Sequence, residues 1–412
     1  MLGYGEFRVG WRVLLSSTVG VALGLSPLPF YTIGVLAPEF AREFHWNQAT
    51  IMGGLLVMTL AVILVGPVAG WLADRYGVRR VTLASVTLFG LAIMGFSLEN
   101  GSLVVYYGSW GLAAVVGSAT LPVTWTRAVN LWFDERKGLA LGLTLTGTGL
   151  AGFLLKPYTA AAIAHFGWRG AYLALGLLPL LIALPLALAF FREAPPEPAV
   201  TDAAPRPASG IALRDAVRDW RFWLIGIAFL PISFGVGGPI PNMETLLLTH
   251  GLSREQIFSI VPFIGLFVII GRLLGGWLVD RVWAPLVALL LLSIPAVAAA
   301  VLAHGTVTPT AAFLSVAGLG LAAGVEYDLL AFLTARYFGT RNYSAIYGAL
   351  YGFFALGAGS APIIYGHVYD VTKSFDSIVL VGGLLMALGA TMLIGLGRYR
   401  YAVHGTAAIT SA

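Results

Sequence analysis

Five charged side chains stand inside long apolar runs of this 412-residue chain. The cations are Arg127, Lys156 and Arg272, and the acids are Glu326 and Asp328. A charge in such surroundings is costly unless it meets protein, an ion or a water-filled cavity, so each residue marks a candidate functional site. Three cations against two acids predict one uncompensated positive charge, which favours an anion as the ligand.

Arg272 has the most specific chemistry of the five. It lies about eight residues before Asp280, which corresponds to about 12 Å along a helix. Its planar guanidinium matches a carboxylate through two parallel hydrogen bonds. Gly265, Gly275 and Gly276 share its helix face, which leaves room for a ligand or for close helix packing. We expect Arg272 to bind a carboxylate, and a structural ion pair with the helix of the two acids is the alternative.

The sequence around the other two cations indicates their roles less specifically. Lys156 directly precedes Pro157, which loosens the helix at that point. It is expected either to line a cavity or to pair with an acid; Glu244 stands close to the end of its own apolar run. Arg127 lies five residues before Trp132 at the end of its run. We expect it to form a structural ion pair or to extend its side chain towards water.

Glu326 and Asp328 are two residues apart, so they point to different sides of a helix, about 200° around its axis. One carboxyl is expected to face a cavity and carry a proton, while the other pairs sideways. The alternative is that both acids are structural partners of Arg127 and Lys156. Tyrosines within the runs could hydrogen-bond a ligand, although an aromatic side chain there more often packs. These are Tyr31, Tyr158, Tyr327, Tyr347 and Tyr351.

The composition indicates an integral membrane protein. Hydrophobic residues make up 58% of the chain and charged residues only 10%, whereas soluble domains carry roughly a quarter charged residues. Twelve apolar runs are long enough to cross a bilayer. They lie at about residues 12–37, 49–72, 81–98, 102–130, 138–164, 169–191, 221–246, 256–279, 284–303, 308–335, 343–368 and 377–397.

Several functions are disfavoured by what the sequence lacks. There are no cysteines, so disulfides and thiol catalysis are excluded, and the six histidines show no metal spacing. No phosphate loop, catalytic triad or nucleic-acid module is present. We therefore expect no enzyme activity, no cofactor, no metal and no nucleic-acid partner.

An internal repeat divides the chain in two. The sequence Gly-Trp-Leu-Ala-Asp-Arg at Gly70–Arg75 recurs as Gly-Trp-Leu-Val-Asp-Arg at Gly276–Arg281. We predict an all-α membrane protein with twelve transmembrane helices in two pseudo-symmetric halves of six. The halves are residues 1–192 and 220–412, and residues 193–219 form a cytoplasmic linker with a short interfacial helix.

The basic residues predict the orientation. With the N-terminus inside, the inner segments hold 17 of the 24 Lys and Arg residues and the outer loops hold four. Because positive residues concentrate on the cytoplasmic side, both termini are expected in the cytoplasm. A bacterial inner membrane is the expected location.

The repeated loop resembles the signature loop of the major facilitator superfamily, which lies between helices 2 and 3 and recurs between helices 8 and 9. The resemblance implies alternating access between the halves, with this loop stabilising one conformation. The residues it assigns to gating are Gly70, Asp74, Arg75, Gly77, Arg79, Asp280 and Arg281.

Further stretches resemble the branch of monocarboxylate transporters and oxalate–formate antiporters. These are Gly34–Phe40, Trp132–Gly142, Phe166–Tyr172 and Arg336–Gly339 with the following Tyr347-Gly348. In that branch an arginine on helix 8 holds the substrate carboxylate, and Arg272 occupies this place. The chain departs from the branch in having no second cation on helix 11, Val268 in place of an aspartate, and no lysine within helix 1.

Taken with the resemblance, the residues predict a monomeric secondary transporter of mono- or dicarboxylates that is coupled to protons and surrounded by lipid. An anion exchanger or an efflux carrier for drugs or amphiphiles is an alternative of the same fold. The fifth predicted crossing disfavours drug efflux, because Gly142–Pro157 lacks the Gly-Pro-x-x-Gly-Gly run of drug antiporters. A membrane sensor that binds an anion without moving it is an alternative of another class.

Overall fold

A computed structural model describes residues 4–133, 137–192, 210–303, 307–339 and 341–401. Residues 193–209, most of the predicted linker, lie outside this range. The regular secondary structure of the described residues is helical, apart from one isolated β-bridge between Gly210 and Gly339.

The N-terminal half is built from eight helical segments. They are α1 (Tyr4–Ala22), α2 (Pro27–Phe44), α3 (Gln48–Tyr76), α4 (Val78–Gly95), α5 (Leu103–Gly117), α6 (Pro122–Trp132), α7 (Lys137–Leu178) and α8 (Leu184–Phe190). Short 3₁₀ turns at Phe96–Leu98 and Ser118–Thr120 extend α4 and α5, and a π-helical turn at Pro179–Ala183 joins α7 to α8.

After one helical turn, α9 (Leu213–Ala216), the C-terminal half follows. It consists of α10 (Trp220–Gly237), α11 (Pro239–Thr249), α12 (Arg254–Ile260), α13 (Phe263–Val279), α14 (Ala284–Leu292), α15 (Ile294–Leu302), α16 (Pro309–Phe338), α17 (Tyr343–Thr372) and α18 (Asp376–Leu393). The interfacial helix expected before Trp220 is only the single turn α9 in the described part of the linker.

Eleven segments of the described residues are long and apolar enough to cross a membrane. One of them, Gly138–Phe190, has 53 residues, which is twice the length of one crossing. The chain reverses within it at Gly167, whose φ of 68° lies in the left-handed region that glycine tolerates. Counting this segment as two gives the twelve crossings that the sequence predicts, and the all-α fold class is confirmed.

The two halves meet mainly through the helix pairs α2–α11, α3–α17 and α7–α13. Glycines allow these helices to approach closely. Gly265 of α13 packs on the α7 backbone around Gly149 and Gly152, and Gly366 of α17 packs on Ala49 at the start of α3. An added Cβ would overlap the opposite backbone at these sites, so the contact depends on the absence of a side chain.

These contacts lie towards one end of the bundle, which we call the closed end; it carries the loops at residues 45–47, 250–253 and 373–375. We call the opposite end the open end, because glycines of the same helices make no such close contact there. Gly70 of α3, Gly138 of α7, Gly276 of α13 and Gly348 of α17 would each gain a Cβ with no described atom within 4 Å. Among the described glycines of these four helices, close contact between the halves is therefore confined to the closed end.

Candidate functional site

A cavity of about 220 Å³ lies between the halves and receives side chains from both of them. The N-terminal half contributes α2, α3, the start of α6 and α7, and the C-terminal half contributes α10, α11, α13, α16 and α17. Because the halves close beyond the cavity at one end, it is positioned where a ligand would contact both.

Arg272 lines this cavity from α13 and is only 7% exposed. Its Nε lies 3.5 Å from the Oδ2 of Asp328 on α16. That distance allows an ion pair, but neither Nε nor Nη1 donates a hydrogen bond to any described residue. A buried guanidinium with unused donors is poised to bind a carboxylate.

The two acids of α16 take different environments. Glu326 lines the cavity, is 6% exposed, and its Oε2 has no hydrogen-bond partner among the described residues. Asp328 is the half-buried partner of Arg272. One carboxyl thus faces the cavity while the other forms an ion pair, as their separation along the helix requires.

Three of the five tyrosines line the cavity: Tyr31, Tyr327 and Tyr351. The ring centroid of Tyr327 lies 5.8 Å from that of Tyr351 and 6.3 Å from that of Tyr347, with the rings nearly perpendicular. Tyr347 contacts the rings of Tyr327 and Tyr351 but is not among the lining residues. Tyr158 is not brought to the site, because it is 39% exposed and its hydroxyl donates to the carbonyl of Ala174 at 3.3 Å.

Lys156 lies outside the cavity, towards the closed end. Its side chain is 1% exposed and forms an ion pair with Glu244 of α11 in the other half. Of its two expected surroundings, the structure shows pairing with an acid. The pair joins α7 to α11 across the interface between the halves.

The expected surplus of buried positive charge is wrong. Lys156 is balanced by Glu244 and Arg272 by Asp328, while the buried acids Glu326 and Glu99 each keep an Oε2 without a hydrogen-bond partner among the described residues. Arg127 is exposed on α6 and so is not a buried charge. Glu244 lies near the end of its apolar run in the sequence, but the close packing of α2 on α11 buries it and adds an acid to the interior.

The residues assigned to gating lie at the open end. Gly77, with φ of 88°, ends α3 and starts α4, and Arg79 donates to the carbonyls of Leu188 and Phe191 at the end of α8. Arg281 donates to the carbonyl of Trp277 and lies over its ring, and Arg75 lies over the ring of Trp71.

Gly70 has no close neighbour across the interface, Asp280 is exposed, and the side chain of Asp74 lies outside the described part. The gating role stays a prediction that concerns another conformation.

Sequence reasoning missed two groups of residues. The apolar wall of the cavity includes Phe30, Met58 and Phe354, which no sequence pattern separates from ordinary membrane-helix packing. Asp370, near the end of α17, accepts hydrogen bonds from the backbone nitrogens of Gln48 and Ala49 at the start of α3, at 3.0 and 2.8 Å. Its signal in the sequence is a lone acid just beyond the end of an apolar run.

Comparison with known proteins shows which family has this architecture. A family model described as Major Facilitator Superfamily matches residues 19–362. A protein of Thermoproteus tenax described as an uncharacterized 38 kDa protein in the 23S RNA operon is 30% identical over 90% of this chain and 92% of its own length. Monocarboxylate transporter 11 of Mus musculus is 29% identical over 94% of this chain and 88% of its own length.

Solved structures show the same fold. The inward-facing, unoccupied crystal structure of a bacterial homologue of the human lysosomal transporter Spinster superposes with a TM-score of 0.67. The match covers 96% of this chain and 95% of that chain, at 19% identity.

Proposed function

This chain belongs to the Major Facilitator Superfamily, and we propose that it carries small organic anions across the membrane by alternating access, together with protons. As a member of that family it is a multi-pass transporter and not an enzyme. The observation that supports an anionic substrate is Arg272, a buried cation at the cavity wall with unused hydrogen-bond donors. Similarity to monocarboxylate transporters at 25–30% identity supports the same substrate class.

The Arg272–Asp328 pair supplies a route for coupling. An anion that enters the cavity must compete with the Asp328 carboxylate for the guanidinium, since the two are 3.5 Å apart. Protonation of Asp328 would remove this competitor and leave the cation available for the substrate. Glu326, which faces the cavity, is the alternative proton carrier. Release of the proton on the other side would restore the ion pair and expel the anion.

The test is uptake of carboxylates into proteoliposomes by purified wild-type and variant protein. Arg272→Lys keeps the charge but loses the planar fork. A charge-assisted hydrogen bond contributes roughly 1.5–3 kcal/mol, so the apparent affinity should fall about ten- to hundredfold. Arg272→Ala should abolish transport while the protein still folds. Arg254→Ala, at an exposed arginine outside the cavity, is the control and should transport normally.

Two outcomes would contradict the substrate-binding role. The first is unchanged anion binding by a well-folded Arg272→Ala. The second is recovery of transport when Asp328→Ala is added to Arg272→Ala, because a purely structural pair is repaired by removing both charges. A protein that binds anions but accumulates none would instead be a sensor, which the uptake assay separates from a carrier.

A further inference from the structure

Resting on the proposed function, we infer that the substrate is a monocarboxylate with a large apolar or aromatic tail, rather than a short acid or a dicarboxylate. Two independent features carry this inference. They are the charge arrangement around Arg272 and the apolar character of the remaining cavity wall.

The cavity offers a place for one carboxylate only. Arg272 is the sole cation among its described lining residues. Lys156, the other buried cation, is turned away and paired with Glu244. A second carboxylate on the same ligand would be buried near Glu326 without a cation to pair with, which is unfavourable in a low-dielectric site. This arrangement selects against dicarboxylates.

Most of the remaining wall is apolar, with hydroxyls only from Ser26, Thr59 and Thr148 among its other described lining residues apart from the tyrosines. Phe30, Met58 and Val62 line the cavity from the N-terminal half, and Phe354 lines it from α17. The ring of Phe354 stacks on that of Tyr351 with centroids 5.5 Å apart, which gives the wall an extended aromatic surface. Such surfaces bind aliphatic chains and rings by removing them from water.

The size of the cavity agrees with a tail of several carbons. Its volume of about 220 Å³ is many times the roughly 10–15 Å³ that a cavity needs to hold one water molecule. A two-carbon acid bound at Arg272 would leave most of the apolar wall in contact with water. Each methylene that replaces this water should raise the affinity about fourfold.

The experiment compares four matched ligands by calorimetry on the purified, full-length protein. Butyrate and hexanoate share the carboxylate and differ by two methylenes, so hexanoate should bind roughly fifteenfold more tightly. Adipate has the length of hexanoate with a second carboxylate, and 6-aminohexanoate has an ammonium at that position. Both should bind more weakly than hexanoate. Binding of hexanoate should be lost in Arg272→Ala, which excludes partition into detergent.

A substitution in the cavity wall, together with a matched control, tests where the apolar tail of the ligand lies. Val62→Thr replaces one methyl group of the wall by a hydroxyl of the same shape. It should weaken the binding of hexanoate severalfold and that of butyrate less. Val104→Thr, at a residue of α5 that is 84% exposed, is the matched control and should change neither affinity.

Each contrary result has a distinct meaning. Adipate or butyrate binding as tightly as hexanoate would overturn the apolar-tail inference while leaving anion transport intact. Tighter binding of 6-aminohexanoate would overturn it in favour of a zwitterion whose ammonium pairs with Glu326. An equal loss of butyrate and hexanoate in Val62→Thr would also contradict it. Failure of all four ligands to bind would overturn the proposed function itself.

Discussion

The chemistry of the site depends on an ion pair that is close but incomplete. Asp328 balances the charge of Arg272 from 3.5 Å without accepting a hydrogen bond from it. The guanidinium can therefore exchange this partner for a substrate carboxylate at little cost in broken hydrogen bonds. The buried pair of Lys156 and Glu244 is hydrogen-bonded, and it joins the two halves. The two ion pairs therefore differ: that of Lys156 and Glu244 is fully buried and hydrogen-bonded, whereas that of Arg272 and Asp328 is half-buried at Asp328 and leaves guanidinium donors unused.

Protonation of Asp328 should control the affinity for the anion. In the wild type, binding should weaken as the pH rises, because a deprotonated Asp328 competes for Arg272. Asp328→Asn removes the competitor, so binding should become independent of pH. Uptake driven by a pH gradient should be lost while counterflow exchange persists. Glu326→Gln is the matched control at the neighbouring acid.

Comparison of Asp328→Asn with Glu326→Gln identifies which acid carries the proton. Gradient-driven uptake that persists in Asp328→Asn but is lost in Glu326→Gln would transfer the coupling role to Glu326. Loss of both gradient-driven uptake and counterflow in Asp328→Asn would instead indicate a structural role.

At the scale of single residues, the sequence predicts which residues have a role at the site better than it predicts which residues they contact. Arg272 and Glu326 could be singled out because a charge in an apolar run is costly and therefore conspicuous. Their partners depend on which helices touch, and this is decided by packing between distant segments. Glu244 and Asp370 acquire their roles only when α11 meets α7 and α17 meets α3. Tyr158 and Tyr31 look alike in sequence, yet only Tyr31 lines the cavity.

At the scale of helices, the fold follows from the length and apolarity of each run. All twelve predicted crossings are present because a segment of about 20 apolar residues has no other stable place. Details within the crossings were less predictable. The first crossing is divided at residues 23–26, and the predicted interfacial helix is one turn. Such breaks depend on local tertiary contacts, which a hydropathy pattern does not contain.

The contact between α7 and α13 should be sensitive to side-chain size at Gly265. A Cβ there would meet the backbone of Gly149 and Phe153 on the opposite helix. Gly265→Val should therefore separate the helices and destabilise the protein by roughly 1–3 kcal/mol. Gly276→Val is the control on the same helix, since nothing described lies within 4 Å of its added Cβ.

The stability of both variants is measured by thermal unfolding in detergent. The expected result is a lower melting temperature for Gly265→Val and little change for Gly276→Val. Equal melting temperatures would show that the two helices can move apart without cost.

At the scale of the whole molecule, the basic residues predict how the bundle sits in the membrane. The loops of the closed end belong to the segments with few Lys and Arg residues, so we expect this end to face outwards. Tags at either terminus or within residues 193–209 should then be protected from protease in right-side-out vesicles. Digestion of any of these tags from outside would contradict the orientation.

The closed end is held by polar contacts between the halves. The carboxylate of Asp370 on α17 accepts the backbone N–H groups of Gln48 and Ala49 at the start of α3. A carboxylate at this position also interacts favourably with the positive end of the helix dipole. The Gln48 side chain donates to Asn242 of α11 at 2.8 Å, and the Lys156–Glu244 pair lies nearby in the same interface. In the proposed alternating-access cycle, these contacts would have to break when the closed end opens.

Removing the Asp370 carboxylate should therefore shift the conformational equilibrium towards opening at this end. The chain has no cysteine, so Thr59→Cys provides a single thiol in the cavity wall. In the Thr59→Cys background, an impermeant thiol reagent added on the closed-end side should label the protein slowly. Adding Asp370→Ala should speed this labelling about tenfold or more, because a charge-assisted hydrogen bond contributes roughly 1.5–3 kcal/mol. Asp376→Ala is the matched control, since this acid of the same end lies 3.1 Å from His250 within its own half. Equal labelling rates in the two variants would show that Asp370 does not hold the halves together.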